Sequence, residues 1–180
     1  EEDNAVLWKH VDHDGAEVRR MRRLTVSCHV TVANYEYLVY WRFYQDGNIE
    51  CEVRATGIMV VSTLAPGQTP EHGTIVDNGT YAPFHQHFLI ARLDLDVDGS
   101  QNTLYATETQ VVPTGPDNPY GLSLRQVNTP LRTEQEAKQD MNFQTQRAWK
   151  VVNENTTNGL GTHPTYKLVP GAAFPPMFDP

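Results

Sequence analysis

The sequence predicts a mainly β fold, an antiparallel β-sandwich with one short helix, on three observations. Residues 24–44 form a long apolar and β-branched run with no Gly or Pro inside it. Asp46-Gly47 then supplies a strong hairpin signal. Beyond it, short strand-like segments alternate with Pro- and Gly-containing turns, which is the composition of a sandwich. No internal repeat is visible, and 180 residues suffice for one domain with a core.

The elements follow in order. Arg19-Arg20-Met21-Arg22-Arg23 reads as a solvated entry to the first long strand. A two-residue turn at Asp46-Gly47 places Gln45 opposite Asn48 and so pairs Cys51 with Arg42. Ile49 to Ala55 alternates apolar and charged residues, as a strand with one wet face does, and Gly57 to Val61 continues as strand. Residues 65–80 read as a long loop, residues 82–93 as a strand, Asp98-Gly99 as a turn and residues 103–112 as a strand ended by Pro113-Thr114-Gly115-Pro116. Thr133 and Glu136 have capping-box spacing, and Glu134-Gln135-Glu136-Ala137-Lys138 favours helix, which predicts a helix over 134–141. Arg147 to Val152 and Tyr166 to Val169 are strand-like, separated by a polar loop over 153–164.

Charge and hydropathy exclude several classes. A net charge of −8 argues against a nucleic-acid surface, which needs clustered Lys and Arg. No apolar run approaches the roughly 18 residues that span a bilayer. The start, Glu1-Glu2-Asp3-Asn4, carries neither an initiator Met nor a secretory signal, and the end runs through Phe174-Pro175-Pro176-Met177-Phe178-Asp179-Pro180; both ends look cut. Cys28 and Cys51 both sit in strand-like runs far apart along the hairpin, and are read as reduced thiols of an intracellular protein.

Two motifs carry chemistry. In a strand, His85 and His87 of His85-Gln86-His87 point to one face about 7 Å apart, close enough to share an ion. Taken alone, such a pair is as often a surface strand as a metal site. Upstream lies Thr31-Val32-Ala33-Asn34-Tyr35-Glu36-Tyr37. On propensity alone Tyr35 is a partly buried core tyrosine. Imidazole donors suit copper(II).

Taken together, in this order, the two motifs resemble those of the copper amine oxidases. The resemblance continues through Tyr40-Trp41, Gln45-Asp46-Gly47, Ala55-Thr56-Gly57, Ala82-Pro83-Phe84, Arg92 to Gly99 and Tyr166-Lys167-Leu168, nearly the whole chain. It implies a large twisted β-sandwich catalytic domain, of which residues 1–180 would be an internal part. Tyr35 would be the precursor of topaquinone, flanked by Asn34 and Glu36, with Glu36 on the opposite strand face. His85 and His87 would be two of three copper ligands. The implied reaction takes a primary amine and O2 to aldehyde, ammonia and hydrogen peroxide. The family's catalytic aspartate lies well upstream of the tyrosine motif and its third copper histidine far downstream, so neither is assigned within this chain and the segment alone is expected to be inactive. His163, in Thr162-His163-Pro164, stands at the wrong separation for that ligand. The resemblance further implies a homodimer, with Leu7-Trp8-Lys9-His10 similar to a segment near the tip of a hairpin arm that reaches the partner. The reduced thiols are consistent with a cytoplasmic location, or a peroxisomal one in a eukaryote.

Asp94-Leu95-Asp96-Val97-Asp98-Gly99 would crowd carboxylates on one strand face, which a hard cation relieves. An EF-hand needs a bidentate Glu at the twelfth position, where Tyr105 stands, so that reading fails. In the resembling family the matching residues, Asp94, the Leu95 carbonyl and Asp96, imply a peripheral calcium-type site; a solvated acidic turn is the alternative. Two other readings stand beside the oxidase: a non-enzymatic calcium-binding β-sandwich with Tyr35 unmodified, and a cupin-like oxygenase. The cupin pattern wants a Glu shortly after the second His, where Phe88-Leu89-Ile90-Ala91-Arg92 stand instead.

Overall fold

The structure, a computed structural model, describes residues 5–171 and 177. The acidic start at 1–4 and most of the Pro-rich end lie outside the described residues. The chain divides into two compact units, residues 1–86 and 87–180, and each is described by itself. The predicted class is observed: the sheets are antiparallel, and among the described residues there is one short helix.

In the first unit, β1 (Val6–Asp12) and β2 (Gly15–Arg20) form a hairpin. A three-stranded meander follows, made of β3 (Arg23–Val32), β4 (Tyr35–Tyr44) and β5 (Ile49–Gly57). The expected single run over 24–44 is therefore two strands. The chain reverses at Ala33-Asn34, between the paired residues Val32 and Tyr35. No Gly marks this turn; Ala33 itself takes the left-handed conformation at φ 53°. Left-handed backbone costs a residue with a Cβ about 1–2 kcal/mol, and glycine almost nothing. Ala33→Gly is thus expected to raise stability by about 0.5–1 kcal/mol, after the extra freedom glycine gives the unfolded chain. Urea unfolding checks this, and an unchanged or lower midpoint counts against the strain.

The next turn also differs by one residue. Tyr44 accepts at one end and donates to the Asn48 carbonyl at 3.0 Å, so the loop is Gln45-Asp46-Gly47, with Gly47 at φ 85°. A three-residue loop with a left-handed glycine is the next commonest hairpin after the two-residue type. Cys51 consequently pairs with Trp41, not Arg42. The register sorts the meander into two faces. Leu24, Val26, Val30 and Val32 oppose Phe43, Trp41, Tyr37 and Tyr35, and across β5 the same face holds Ile49, Val53 and Gly57. Thr25, His29 and Thr31 oppose Arg42, Leu38 and Glu36 on the other, where Arg42 is buried between Glu50 and Glu52. Tyr35 thus belongs to the apolar face and Glu36 to the polar one. Cys28 and Cys51 are free thiols.

The expected loop at 65–80 contains β7 (Gly73–Asp77), which pairs with β8 (Thr80–Pro83); β6 (Ser62–Thr63) lies on the other side of β8. Residues 58–61 are not strand.

In the second unit the sheet order is β10-β9-β11-β12, from β9 (Thr103–Val111), β10 (Leu124–Leu131), β11 (Ala148–Val152) and β12 (Thr165–Leu168). The central strand β9 supplies buried Ala106 and Thr107, beside buried Ala148 of β11. The helix α1 (Glu134–Ala137) is shorter than 134–141, but its cap is the expected one: Glu136 N donates to Thr133 Oγ1, and Glu136 Oε2 accepts from Thr133 N.

Candidate active site

Tyr35 opens β4 directly after the Ala33-Asn34 turn, half-buried on the apolar face. Its backbone lies opposite Gly57, and the Asn34 carbonyl accepts from Ile58 N at 2.8 Å. The described hydrogen bond of Asn34 is thus made by its backbone. Glu36, one residue on, faces the other way. It accepts from the Thr31 hydroxyl at 2.8 Å and contacts His29 Nε2 across the β3–β4 pair. The Thr31 hydroxyl lowers the Glu36 carboxyl pKa most; partial desolvation opposes it, and His29 adds to the lowering. Glu36 therefore braces β3 against β4 beside Tyr35 instead of touching the ring.

A depressed carboxyl pKa stabilises the fold above the unfolded-state value, and that contribution is lost as pH falls through the folded-state value. Wild type is expected to lose stability over an acidic window that begins near an ordinary glutamate pKa and extends below it. Glu36→Gln should flatten that window by lowering the neutral-pH midpoint toward the acid one. Urea midpoints measured against pH check this; parallel curves for the two proteins would remove Glu36 from the account.

His85 meets Tyr35 from β8. Pairing of β8 with β7 runs one step past Pro83, where Phe84 N donates to the His72 carbonyl at 2.9 Å. The expected strand 82–93, however, ends at Pro83: residues 84–96 carry no strand, because no described segment offers them a ladder. The same-face argument for His85 and His87 therefore loses its strand. What replaces it is a direct contact. Tyr35 Oη lies 2.6 Å from His85 Nε2, with ring centroids 5.6 Å apart. His85 Nδ1 lies 2.9 Å from the Pro83 carbonyl. A carbonyl only accepts, so Nδ1 carries the proton, and in the neutral ring Nε2 presents its lone pair to the Tyr35 hydroxyl. A backbone carbonyl fixing one ring nitrogen while the other is left as a donor is the arrangement found behind metal-binding histidines. His87 begins the second unit.

The acidic segment 94–99 is likewise not a strand, so its carboxylates are not ranked along one strand face. It leads into a turn that two asparagines build. Asn102 Oδ1 accepts from Val97 N at 3.0 Å, and buried Asn153 donates to the carbonyls of Val97 and Asp98 at 3.1 and 2.7 Å. Among the described residues, no three His, Cys, Asp or Glu side chains are grouped to hold a metal. His163 Nδ1 donates to the Thr156 carbonyl at 2.8 Å and serves its loop. Sequence reasoning missed Gly57, Thr31, His29 and the Pro83 carbonyl as parts of the site. Only the register across the sheet identifies Gly57, Thr31 and His29, although Gly57 at a strand end is a signal of close backbone approach, and the Pro83 carbonyl is set by the local fold two residues before His85.

A model of the copper amine oxidase enzyme domain matches residues 1–180. The chain belongs to the copper amine oxidases. The peroxisomal copper-containing diamine oxidase 1 of Nicotiana tabacum is 45% identical over 186 residues, covering 100% of this chain and 24% of that protein. The primary amine oxidase of Arthrobacter sp. (strain P1) is 40% identical over 174 residues, covering 94% and 26%. The crystal structure of a copper-containing benzylamine oxidase from Hansenula polymorpha is similar with a TM-score of 0.77 at 31% identity, covering 92% of this chain and 26% of that one. The chain thus spans only 24% and 26% of the lengths of the two curated relatives. Membership supports oxidoreductase chemistry on amines with copper at the level of the family. No helix among the described residues is long and apolar enough to cross a membrane.

Proposed function

We propose that this chain carries the cofactor-forming tyrosine of a primary-amine oxidase, and that the whole protein converts primary amines, O2 and water to aldehyde, ammonia and hydrogen peroxide. The observation that carries the reading is the 2.6 Å contact between Tyr35 Oη and His85 Nε2. It joins the two motifs that the sequence separates by 50 positions. In this reading residues 1–180 are part of the catalytic domain. The catalytic carboxylate and a third histidine come from other parts of the protein.

The donor set fits copper(II): with Nδ1 donating to the Pro83 carbonyl, the His85 Nε2 lone pair that accepts from Tyr35 in the metal-free protein is the one a metal would take in place of that hydrogen bond, and His87 is the second imidazole of the motif. Bound copper with O2 would supply the oxidising equivalents that turn the Tyr35 phenol into topaquinone, the carbonyl cofactor at which amines are oxidised. The chain's own residues hold the phenol. In the metal-free protein Tyr35 donates its hydroxyl proton toward His85, and Glu36 pins the strand from its opposite face. Asp94, the Leu95 carbonyl and Asp96 are assigned to a second, calcium-type cation, and the whole protein to a homodimer. The location is cytoplasmic, or peroxisomal as in the tobacco relative's name.

The test uses the full-length protein, expressed metal-free and then given copper and oxygen. Visible absorbance should grow in, and the peptide containing Tyr35 should change in mass. A colourless protein with an unmodified Tyr35 would leave the calcium-binding module ahead.

A further inference from the structure

On the β5 side of Tyr35 the paired residue is Gly57. Gly57 pairs directly with Tyr35 and takes φ +111°, outside the usual range of residues with a side chain. A Cβ built on Gly57 would lie 2.4 Å from the Asn34 carbonyl oxygen, 2.9 Å from Glu36 N and 2.9 Å from Tyr35 Cα. All three are main-chain atoms, so no flexible side chain can swing aside to make room. They also bracket the tyrosine: the residue before it, the residue itself and the residue after. Ile58 N then ties this crossing by donating to the Asn34 carbonyl at 2.8 Å. The hydroxyl at the far end of the ring is held at 2.6 Å from His85. A displacement on the order of 1 Å takes that hydrogen bond out of range.

We propose that Gly57 is a positioning residue for Tyr35: its missing side chain lets β5 lie close enough beneath Asn34-Tyr35-Glu36 to hold the phenol against His85. The proposal deepens the reading of Tyr35 as the quinone precursor and rests on it for its functional consequence. Gly57 touches no reacting atom. It acts through the main chain of Tyr35, where a misplacement of about 1 Å costs on the order of 100-fold in rate.

The experiment compares Gly57→Ala with Gly47→Ala in the full-length protein. Gly47 also has positive φ, at +85°, but a Cβ there meets nothing within 4 Å, so this control carries strain without the clash. Three quantities are read: the Tyr35 Oη–His85 Nε2 separation in crystals of the metal-free protein, copper bound per subunit, and the rate at which quinone absorbance grows after copper and oxygen are added. Gly57→Ala is expected to open the separation beyond hydrogen-bond range, keep its copper, and form quinone at least about 10-fold more slowly. Gly47→Ala should match wild type in all three. An unchanged separation with a wild-type rate in Gly57→Ala overturns the proposal, as does equal slowing in Gly47→Ala.

If Gly57→Ala does not fold, Ile58→Pro takes its place, because its ring carbon replaces the N–H that donates to the Asn34 carbonyl and so crowds the same crossing from the next residue. Slower quinone growth there supports the crossing, and a wild-type rate overturns it. Should wild type itself stay colourless while the separation opens in Gly57→Ala, the positioning stands and the quinone assignment of Tyr35 fails instead.

Discussion

Tyr35→Phe is expected to abolish quinone formation and amine oxidation in the full-length protein while leaving copper bound and the fold intact. The change removes one oxygen. It leaves the ring in place on the apolar face of the meander, opposite Val32 and Gly57. The fold loses the hydrogen bond to His85, and a bond of this kind contributes about 1 kcal/mol. That is too little to unfold a three-stranded sheet. The chemistry loses everything, because a benzene ring without its hydroxyl gives copper no phenol to oxidise. Three measurements separate the outcomes: metal content, visible absorbance and aldehyde release from a simple primary amine. Retained copper with no colour and no aldehyde supports the assignment. Colour or turnover in Tyr35→Phe would place the cofactor on another residue.

How far the sequence carried the site depends on which contacts are local. The capping box at Thr133 and Glu136 was legible because both partners lie within four residues. The hairpin at Asp46-Gly47 was legible in kind but not in register, since Gly47 supports a three-residue loop as well as a two-residue one. The Ala33-Asn34 reversal was hidden, because an alanine at positive φ leaves no signature in composition. That turn decides the site: it makes Tyr35 the first residue of a strand and so places it beside Gly57 and Ile58. The strand expected over 82–93 shows the converse. Its residues have strand propensity, but a strand exists only against a partner, and none of the described segments pairs with residues 84–96. Motifs identified Tyr35 and His85; the tautomer of His85, the bracing of Glu36 and the cradle at Gly57 needed the folded sheet.

His85→Ala is expected to weaken copper binding by at least about 100-fold and to leave Tyr35 unmodified. Loss of the group that hydrogen-bonds behind a metal-binding histidine alone typically costs 10–100-fold in metal affinity, and removal of the histidine costs more. The imidazole is exposed on the segment after β8, so its removal leaves no large buried cavity, and stability should change little. It also deletes the acceptor of the Tyr35 hydroxyl proton, so added copper at high concentration should restore metal content before it restores colour. His163→Ala provides the contrast. That ring donates to the Thr156 carbonyl within its own loop, and its loss should leave copper content and quinone yield at wild-type levels. Copper titration followed by absorbance distinguishes the two variants. Equal copper loss in both would mean that the resemblance had assigned the wrong histidine, whereas undiminished affinity in His85→Ala would remove the metal from this motif and leave the tyrosine contact a structural one.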